Sequence, residues 1–232
     1  MTKQSSSPSI DLAQVFGAAA QALAANRSTL NQADAYNGNH GDNMVQIFNL
    51  ITQALASQQG AQPADALAYA SQVLRQNANS GSAAVYAQGL EQAAQQLQSQ
   101  PAVTPENGMA LLQALLGSGP TGNAPAAGGG MDLLGSLLSG GGGSTGNADT
   151  GNALNSLMDL VKGEKLDGQD VGNLLNAGMA FLNAKNQGQD TMQAAISALV
   201  SGGPLGQQPH RKQSGEVVAN ALMQAMTALG KR

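Results

Sequence analysis

The sequence predicts an all-α fold, an antiparallel bundle or barrel of about eight helices, and three observations support this. Ala, Leu and Gln, which favour helices, are abundant, while aromatic residues make up only 3% of the chain. Apolar residues recur at spacings of three and four, which is the period of one helix face. Polar segments with Gly, Asn or Pro separate these stretches. Helices with one apolar stripe each must bury it against one another, so a bundle follows.

Five amphipathic segments are predicted in the first half of the chain. The first carries apolar residues from Ile10 to Leu23; we expect it to start at Ser9 and to fade near Gln32. The clearest stripe runs from Met44 to Leu55 and ends near Gly60, a residue type that suits a helix C-terminus. The three further segments of this half begin near Pro63, Val85 and Thr104.

The composition changes at the start and in the middle of the chain. Residues 117–151 are rich in Gly, Ser, Asn and Pro, and such a segment cannot bury enough apolar surface to offset its ordering entropy. We therefore expect a flexible insertion there and a disordered tail at residues 1–8. The predicted helical domain consists of residues 9–116 and 152–232.

The second half of the chain predicts four more helices and one long loop. The helices carry their apolar residues at 154–161, 171–182, 192–199 and 217–229. The Gly- and Pro-containing segment 201–215 is predicted to be a loop. An apolar island at 131–138, inside the insertion, is consistent with a docked helix fragment or with a partner-binding motif.

Composition and charge exclude several classes of function. The net charge is −4 and no basic stripe is present, so nucleic-acid binding is not expected. Cysteine is absent, which excludes disulfides and thiol chemistry, and two histidines cannot build a three-His zinc site. The N-terminus lacks the apolar core of a signal peptide, and no apolar run reaches the length of a membrane span. We expect a cytoplasmic protein.

Three polar loops at helix ends can carry chemistry: 34–44, 77–82 and 201–215. Free backbone N–H groups at a helix N-terminus form a ready anion site. Alternate loops of an antiparallel bundle lie at the same end, so these three can converge. The third loop, which includes His210 to Gly215, holds the densest positive charge of the chain, although a solvated basic turn would look the same.

The first loop has a composition that suits a magnesium ion. It contains two carboxylates, three Asn side chains and one His within eleven residues. Magnesium prefers oxygen ligands and is usually held by one or two carboxylates together with phosphate oxygens and water. A plain Asn/Gly turn, with Asp42 as the cap of the following helix, explains the same residues.

The segment from Leu30 to Met44 resembles the first motif of the dihydroxyacetone kinase L-subunit domain, a domain shared with the bacterial fatty-acid kinases. That motif has an Asp-Gly-Asp-(His or Thr)-Gly core followed by Asn-Met, and this chain reads Asn-Gly-Asn-His-Gly-Asp-Asn-Met from Asn37. Four further segments are similar to later parts of the family's pattern: Asn79-Ser80-Gly81, Thr191-Met192, Pro204-Leu205-Gly206 and His210 to Gly215.

The resemblance implies a barrel of eight antiparallel helices that holds ATP or ADP at one end through Mg²⁺ bound by three Asp. It also implies a phosphate acceptor that is supplied by a partner subunit or domain. By this resemblance the nucleotide would contact Gly38, His40, Gly41, Asn43, Met44, Asn79, Ser80, Gly81, Leu205, Gly206, Ser214 and Gly215. Magnesium would be held by Asp34, Asn37, Asn39 and Asp42. No residue stands out as a general base.

The chain departs from the family at the metal ligands. Asn37 and Asn39 stand where the family has Asp, and a neutral amide brings no charge to a cation. Each unit charge near 4 Å is worth roughly 4 kcal/mol at an effective dielectric of about 20, before desolvation is subtracted. Three hypotheses follow: a kinase of the glycerone type with a weakened metal site, a non-catalytic relative that acts as a binding or regulatory module, and a carrier of an apolar ligand inside the bundle.

Overall fold

The computed structural model describes residues 10–117, 168–189 and 191–230, and these residues form nine α-helices, one short 3-10 helix and no strand. The α-helices are α1 (Leu12–Ala25), α2 (Arg27–Ala33), α3 (His40–Ser57), α4 (Pro63–Asn77), α5 (Gly81–Gln96), α6 (Pro105–Gly117), α7 (Gly168–Asn186), α8 (Thr191–Gly202) and α9 (Pro209–Leu229). The 3-10 helix is Pro204–Gln207. The prediction of an all-α fold is confirmed.

Several predictions fall on residues outside the described part of the chain. They concern the tail at 1–8, the insertion with its apolar island at 131–138, and the helix at 154–161. Among the described residues, no helix combines the length and apolar character that crossing a membrane requires.

Local side-chain chemistry sets where the first helices begin and end. The carboxylate of Asp11, rather than Ser9, caps α1 and accepts hydrogen bonds from the N–H of Ala13 at 2.9 Å and of Gln14 at 3.3 Å. Asn26 then interrupts the helix that was predicted to run to Gln32. Its side-chain amide donates to the carbonyl of Ala22 at 2.8 Å, which competes with the regular helix pattern.

Two compact units divide the described residues. The first covers residues 10–117 and 199–230, and the second covers residues 168–189 and 191–198. In the first unit the helices pack in a closed ring: α1 on α3, α3 on α4, α4 on α5, α5 on α6, α6 on α9 and α9 on α1. Loops of a few residues join α3, α4 and α5, so these neighbours run antiparallel. The second unit contains α7, on which Met179 and Leu182 are exposed.

Aromatic side chains from three helices meet inside the ring. The ring centroid of Phe48 on α3 lies 6.0 Å from that of Phe16 on α1 and 5.0 Å from that of Tyr86 on α5. All three side chains are fully buried. Buried aromatic groups carry large apolar area, so these contacts tie α1, α3 and α5 to one core.

The segment 201–215, predicted to be a loop, is mostly helical. Helix α8 extends to Gly202, a 3-10 turn follows, and α9 already begins at Pro209. Proline is favoured at the first position of a helix because its fixed φ suits the helix and its missing N–H is not needed there. The basic residues from His210 onward therefore lie on the first turns of a helix.

Helices α5 and α6 approach closely at Gly89. A methyl group on this residue would lie 2.8 Å from both Cα and the carbonyl oxygen of Leu115. Backbone atoms cannot move away as the end of a flexible side chain can. The absence of a side chain at Gly89 therefore sets the distance between these two helices.

Gly89→Ala should lower the free energy of unfolding by about 1–3 kcal/mol, because overpacking against a backbone outweighs the better helix propensity of Ala. Gly17→Ala is the matched control, since its added methyl group would make only an ordinary contact of 3.6 Å with Thr52. Urea unfolding of both variants measures the difference. Equal stabilities would contradict the proposed close approach of α5 and α6.

Candidate functional site

A cleft of about 600 Å³ lies in the first unit, where three separate segments come together. The segments contribute from within residues 34–47, 78–82 and 208–211. The lining residues are Asp34, Tyr36, Asn37, Asn39, His40, Asn43, Gln46, Ile47, Ala78, Asn79, Ser80, Gly81, Ser82, Gln208, His210 and Arg211. The three predicted loop regions thus meet in one place.

The turn between α2 and α3 is held by the side chain and the backbone of Asp34. Its Oδ1 accepts a hydrogen bond from the N–H of Tyr36 at 3.1 Å, and its carbonyl accepts one from the N–H of Gly38 at 3.2 Å. Gly38 has φ of +66°, a conformation that favours glycine. These bonds fix the backbone of the turn while the Tyr36 side chain is left 91% exposed.

Asn37 and Asn39, which stand where the kinase family has Asp, form hydrogen bonds close to their own turn. Oδ1 of Asn37 accepts from the N–H of Asn39 at 3.3 Å. Oδ1 of Asn39 accepts from the side-chain amide of Asn43 at 2.8 Å. Both amide oxygens therefore already stabilise the start of α3.

The carboxylate of Asp34 is ionised at neutral pH. Burial would raise the pKa of Asp34, but the hydrogen bond from the Tyr36 N–H and attraction to His210 outweigh it. Backbone hydrogen bonds from Asn37 and Asn39 act in the same direction, so the pKa lies below its ordinary value of 3.8. The negative charge of Asp34 is thus already shared among partners from the protein.

His40, the first residue of α3, forms a buried hydrogen bond with Ser214 on α9. Its Nε2 lies 2.9 Å from Oγ of Ser214, and that Oγ donates to the carbonyl of Arg211 at 2.9 Å. A hydroxyl has one proton to donate, so Nε2 of His40 carries the hydrogen of the first bond. The ring of His210 lies against His40 with centroids 4.6 Å apart.

His40 is held in its neutral form. Burial is the main cause that lowers the pKa of His40 from 6.5 to about 4, and repulsion from His210 and Arg211 adds to it. Attraction to Asp34 and a backbone hydrogen bond with His210 offset only part of this effect. A His–Ser pair at this distance resembles an activated nucleophile. Ser214, however, is fully buried, so a ligand in the cleft cannot reach its hydroxyl.

Arg211 brings a positive charge to the cleft. Its guanidinium lies over the first residue of α5, since a methyl group on Gly81 would be 2.6 Å from Nη2 of Arg211. Arg211 forms no ion pair with any residue that the structure describes. Within the described part of the chain, nothing therefore neutralises this charge, and a ligand in the cleft could bind to it.

Eight of the sixteen residues predicted for the nucleotide and the metal line the cleft. They are Asp34, Asn37, Asn39, His40, Asn43, Asn79, Ser80 and Gly81. Gly38 lies in the adjoining turn and does not line the cleft. The other seven are Gly41, Asp42, Met44, Leu205, Gly206, Ser214 and Gly215, which have partners elsewhere.

Two of these seven, Gly41 and Asp42, face α2. A side chain on Gly41 would collide with the carbonyl oxygen of Arg27. The carboxylate of Asp42 lies 3.5 Å from Nε of Arg27 and accepts from the side-chain amide of Asn31 at 2.8 Å. Asp42 follows His40 by two residues in α3, which corresponds to about 200° of rotation around the helix axis. Its side chain therefore points away from the cleft that His40 lines.

The remaining five of the seven support the helix packing. Met44, Leu205 and Ser214 are fully buried. A side chain on Gly206 would collide with the backbone of Ser201, and one on Gly215 would lie 2.9 Å from Val200. These residues shape the ends of α3, α8 and α9 rather than the surface of the cleft.

The donor set fits a tightly held magnesium ion poorly. Among the described residues that line the cleft, Asp34 is the one carboxylate. No group of three or more His, Asp or Glu side chains placed to hold a metal ion occurs in the described part of the chain.

Several lining residues were not predicted from the sequence, and Tyr36 and Arg211 are the most important of them. Tyr36 lies within the predicted loop. An aromatic side chain close to Asp34 and Asn37 at a helix end is a feature that could have indicated a ligand-binding residue. Arg211 lies in the basic segment 210–215. From the sequence alone, a charged surface turn explains that segment equally well, whereas in the structure α9 begins at Pro209.

Acidification should destabilise the protein through His40. A folded-state pKa near 4 against 6.5 when unfolded means that stability is complete above pH 6.5 and falls as the pH drops toward 4. Between pH 7 and pH 5 the loss from this residue should be about 2 kcal/mol. Urea unfolding at these two pH values, for the wild type and for His40→Gln, measures it. If His40→Gln shows the same loss as the wild type, the assignment to His40 is wrong.

Part of the chain matches a known protein family. The family model of the DAK2 domain matches residues 35–130, a range that includes the turn at Asn37, the start of α3 and the start of α5. No curated protein and no solved structure matches the chain. The predicted resemblance is confirmed: residues 35–130 match the DAK2 domain, the domain of dihydroxyacetone kinase L-subunits and fatty-acid kinases.

Proposed function

We propose that the cleft binds a nucleoside di- or triphosphate, ADP or ATP being the expected ligand, and that this chain is a nucleotide-binding, kinase-like domain of the DAK2 type. The observation that carries the proposal is the meeting of three segments in one cleft. The first turns of α3 and α5 and the Arg211 guanidinium lie together there, and both first turns fall within the range matched by the DAK2 domain.

The first turns of two helices provide donors for phosphate oxygens. The first four N–H groups of a helix have no partner within it, and the helix dipole favours an anion at this end. In α5, Oγ of Ser80 already caps the N–H of Ala83 at 3.1 Å. Gly81 and Ser82 belong to the same turn and line the cleft, as His40 does at the start of α3.

Arg211 adds the charge that backbone donors lack. A guanidinium group offers several N–H donors in a planar fork that matches phosphate geometry. Arg211 lies over Gly81, next to the first turn of α5. A phosphate held by that turn would therefore lie within reach of this side chain.

Tyr36 provides a surface for the base of the nucleotide. The ring is 91% exposed and lines the cleft, on a turn that is fixed by the hydrogen bond to Asp34. Aromatic rings stack on nucleobases with little preference for sequence. The volume of about 600 Å³ lies within the range of small-molecule sites, about 300–1,000 Å³.

Phosphotransfer of the glycerone-kinase type, with an acceptor carried by a partner subunit, is the further step that the family match suggests. One observation favours a non-catalytic binding or regulatory module instead. Asn37 and Asn39 bring no charge, and their oxygens bond within their own turn. Phosphoryl transfer depends on charge neutralisation by a metal ion.

Phosphorus NMR separates the kinase from the non-catalytic module. The chain is mixed with ATP, Mg²⁺ and dihydroxyacetone in the presence of an acceptor-binding subunit from a DAK2-type kinase. Only a kinase transfers the phosphate from ATP to dihydroxyacetone.

Calorimetric titration with ATP and with inorganic tripolyphosphate tests both parts of the site. Tyr36→Ala should weaken ATP binding by about tenfold, because stacking is lost, and should leave tripolyphosphate binding unchanged. Tyr69→Ala is the control, since Tyr69 lies on α4, is 40% exposed and does not line the cleft.

Two results would count against these assignments. If neither ligand binds the wild type, the nucleotide site is wrong. If both ligands bind and Tyr36→Ala changes neither, the phosphate site stands and the role of Tyr36 is wrong.

A further inference from the structure

We infer that this cleft holds the polyphosphate of its ligand without a divalent cation, and that the guanidinium of Arg211 takes the place of that cation. The inference rests on the proposed nucleotide site and concerns how the charge of the ligand is neutralised there. It assigns a ligand class, the metal-free nucleoside polyphosphate, and gives a role to Arg211, which lies in a segment similar to the family's pattern but was not among the predicted nucleotide contacts.

The cleft offers little negative charge to a metal ion. Asp34 is the one carboxylate among the described residues that line the cleft. Its Oδ1 accepts the hydrogen bond from Tyr36, and its charge interacts with His210. Asp42, the second acidic residue of the motif, is bonded to Arg27 and Asn31 outside the cleft.

The side-chain oxygens of Asn37 and Asn39 already accept hydrogen bonds within the protein. Oδ1 of Asn37 and Oδ1 of Asn39 each accept a hydrogen bond that stabilises the turn before α3. While these bonds hold, each oxygen has only its second lone pair to offer a metal ion. Because neither oxygen carries a charge, its attraction for the cation is weak.

One side of the cleft is positively charged, because Arg211 and the N-terminal end of α5 lie there. The guanidinium of Arg211, a residue of α9, lies over Gly81 at the start of α5, where the helix dipole is also positive. Arg211 has no ion-pair partner among the described residues. The other titratable groups that line the cleft are Asp34, Tyr36, His40 and His210, and His40 stays neutral. A second cation in this position would be repelled, whereas a polyanion would satisfy both Arg211 and the helix end.

The chemical consequence is binding without transfer. A metal ion bridges the phosphates and neutralises the charge that develops during phosphoryl transfer. A single guanidinium can retain the ligand but does not replace those bridges. The site would therefore hold its nucleotide intact.

Calorimetric titration of the full chain with ATP, in EDTA and in excess Mg²⁺, tests the inference. We expect binding in EDTA that Mg²⁺ does not strengthen. Arg211→Ala should weaken binding in EDTA by about 10- to 100-fold, the usual range for a lost charge-assisted hydrogen bond. Lys212→Ala removes the same charge one residue away, outside the cleft, and should change the affinity less than about twofold.

The double variant Asn37→Asp/Asn39→Asp gives the converse test. It restores the charges of the family motif, so its ATP binding should become weaker in EDTA and stronger with Mg²⁺. If Arg211→Ala does not fold, as judged by circular dichroism, Arg211→Lys and the wild-type titrations in the two buffers still decide the question.

The outcomes separate the two levels of the proposal. No ATP binding in either buffer would overturn the nucleotide site itself. Binding of the wild type only with Mg²⁺ would leave the nucleotide site standing and overturn the metal-free inference. An equal effect of Arg211→Ala and Lys212→Ala would overturn the role of Arg211.

Discussion

The buried hydrogen bond between His40 and Ser214 is the contact on which the candidate site depends. It joins the first residue of α3 to the second turn of α9 at 2.9 Å, across 174 positions of sequence. Ser214 in turn bonds to the carbonyl of Arg211, so the same contact positions the residue that carries the charge. A buried polar pair of this kind must stay bonded, because either group left alone would lose its hydration without compensation.

The neutrality of His40 follows from the same arrangement. A protonated ring would lie in a buried position beside His210 and Arg211, which accounts for the lowered pKa of His40. The uncharged imidazole permits a close contact between two helix ends that are both positive by their dipoles. Arg211 then carries a permanent positive charge in a cleft that is also lined by Asp34, whose carboxylate accepts a hydrogen bond from the backbone of its own turn.

Much of the fold could be predicted from the sequence, because strong helix formers and single apolar stripes leave few alternatives to a bundle. Helix α3 is the clearest case, with Met44, Ile47 and Ile51 buried as their spacing indicates. The exact ends of helices were harder to predict, because single residues can either continue a helix or end it. Asn26 divides one expected helix into two, and Pro209 starts a helix where Gly and Pro indicated a loop. In both cases one residue type serves equally well in a turn and at a helix end.

The candidate site was predictable only in part. The segments that meet in the cleft could be named from loop composition and from the resemblance to the kinase family. Which side chains face the cleft depends on helix rotation, and this could not be read from the sequence. Asp34 and Asp42 seemed equivalent as metal ligands, but α3 begins at His40 and carries Asp42 to the opposite side. The division into a helical domain and an insertion, and the cytoplasmic location, remain predictions, as does the alternative of an apolar cargo.

The most direct test of the central claim is a crystal structure of the chain with a non-hydrolysable ATP analogue, grown in the presence of EDTA. We expect the triphosphate between the first turns of α3 and α5, with the guanidinium of Arg211 within hydrogen-bond distance of a phosphate oxygen. Phosphates bound away from His40, Gly81 and Arg211, or a cleft left empty at saturating nucleotide, would contradict it.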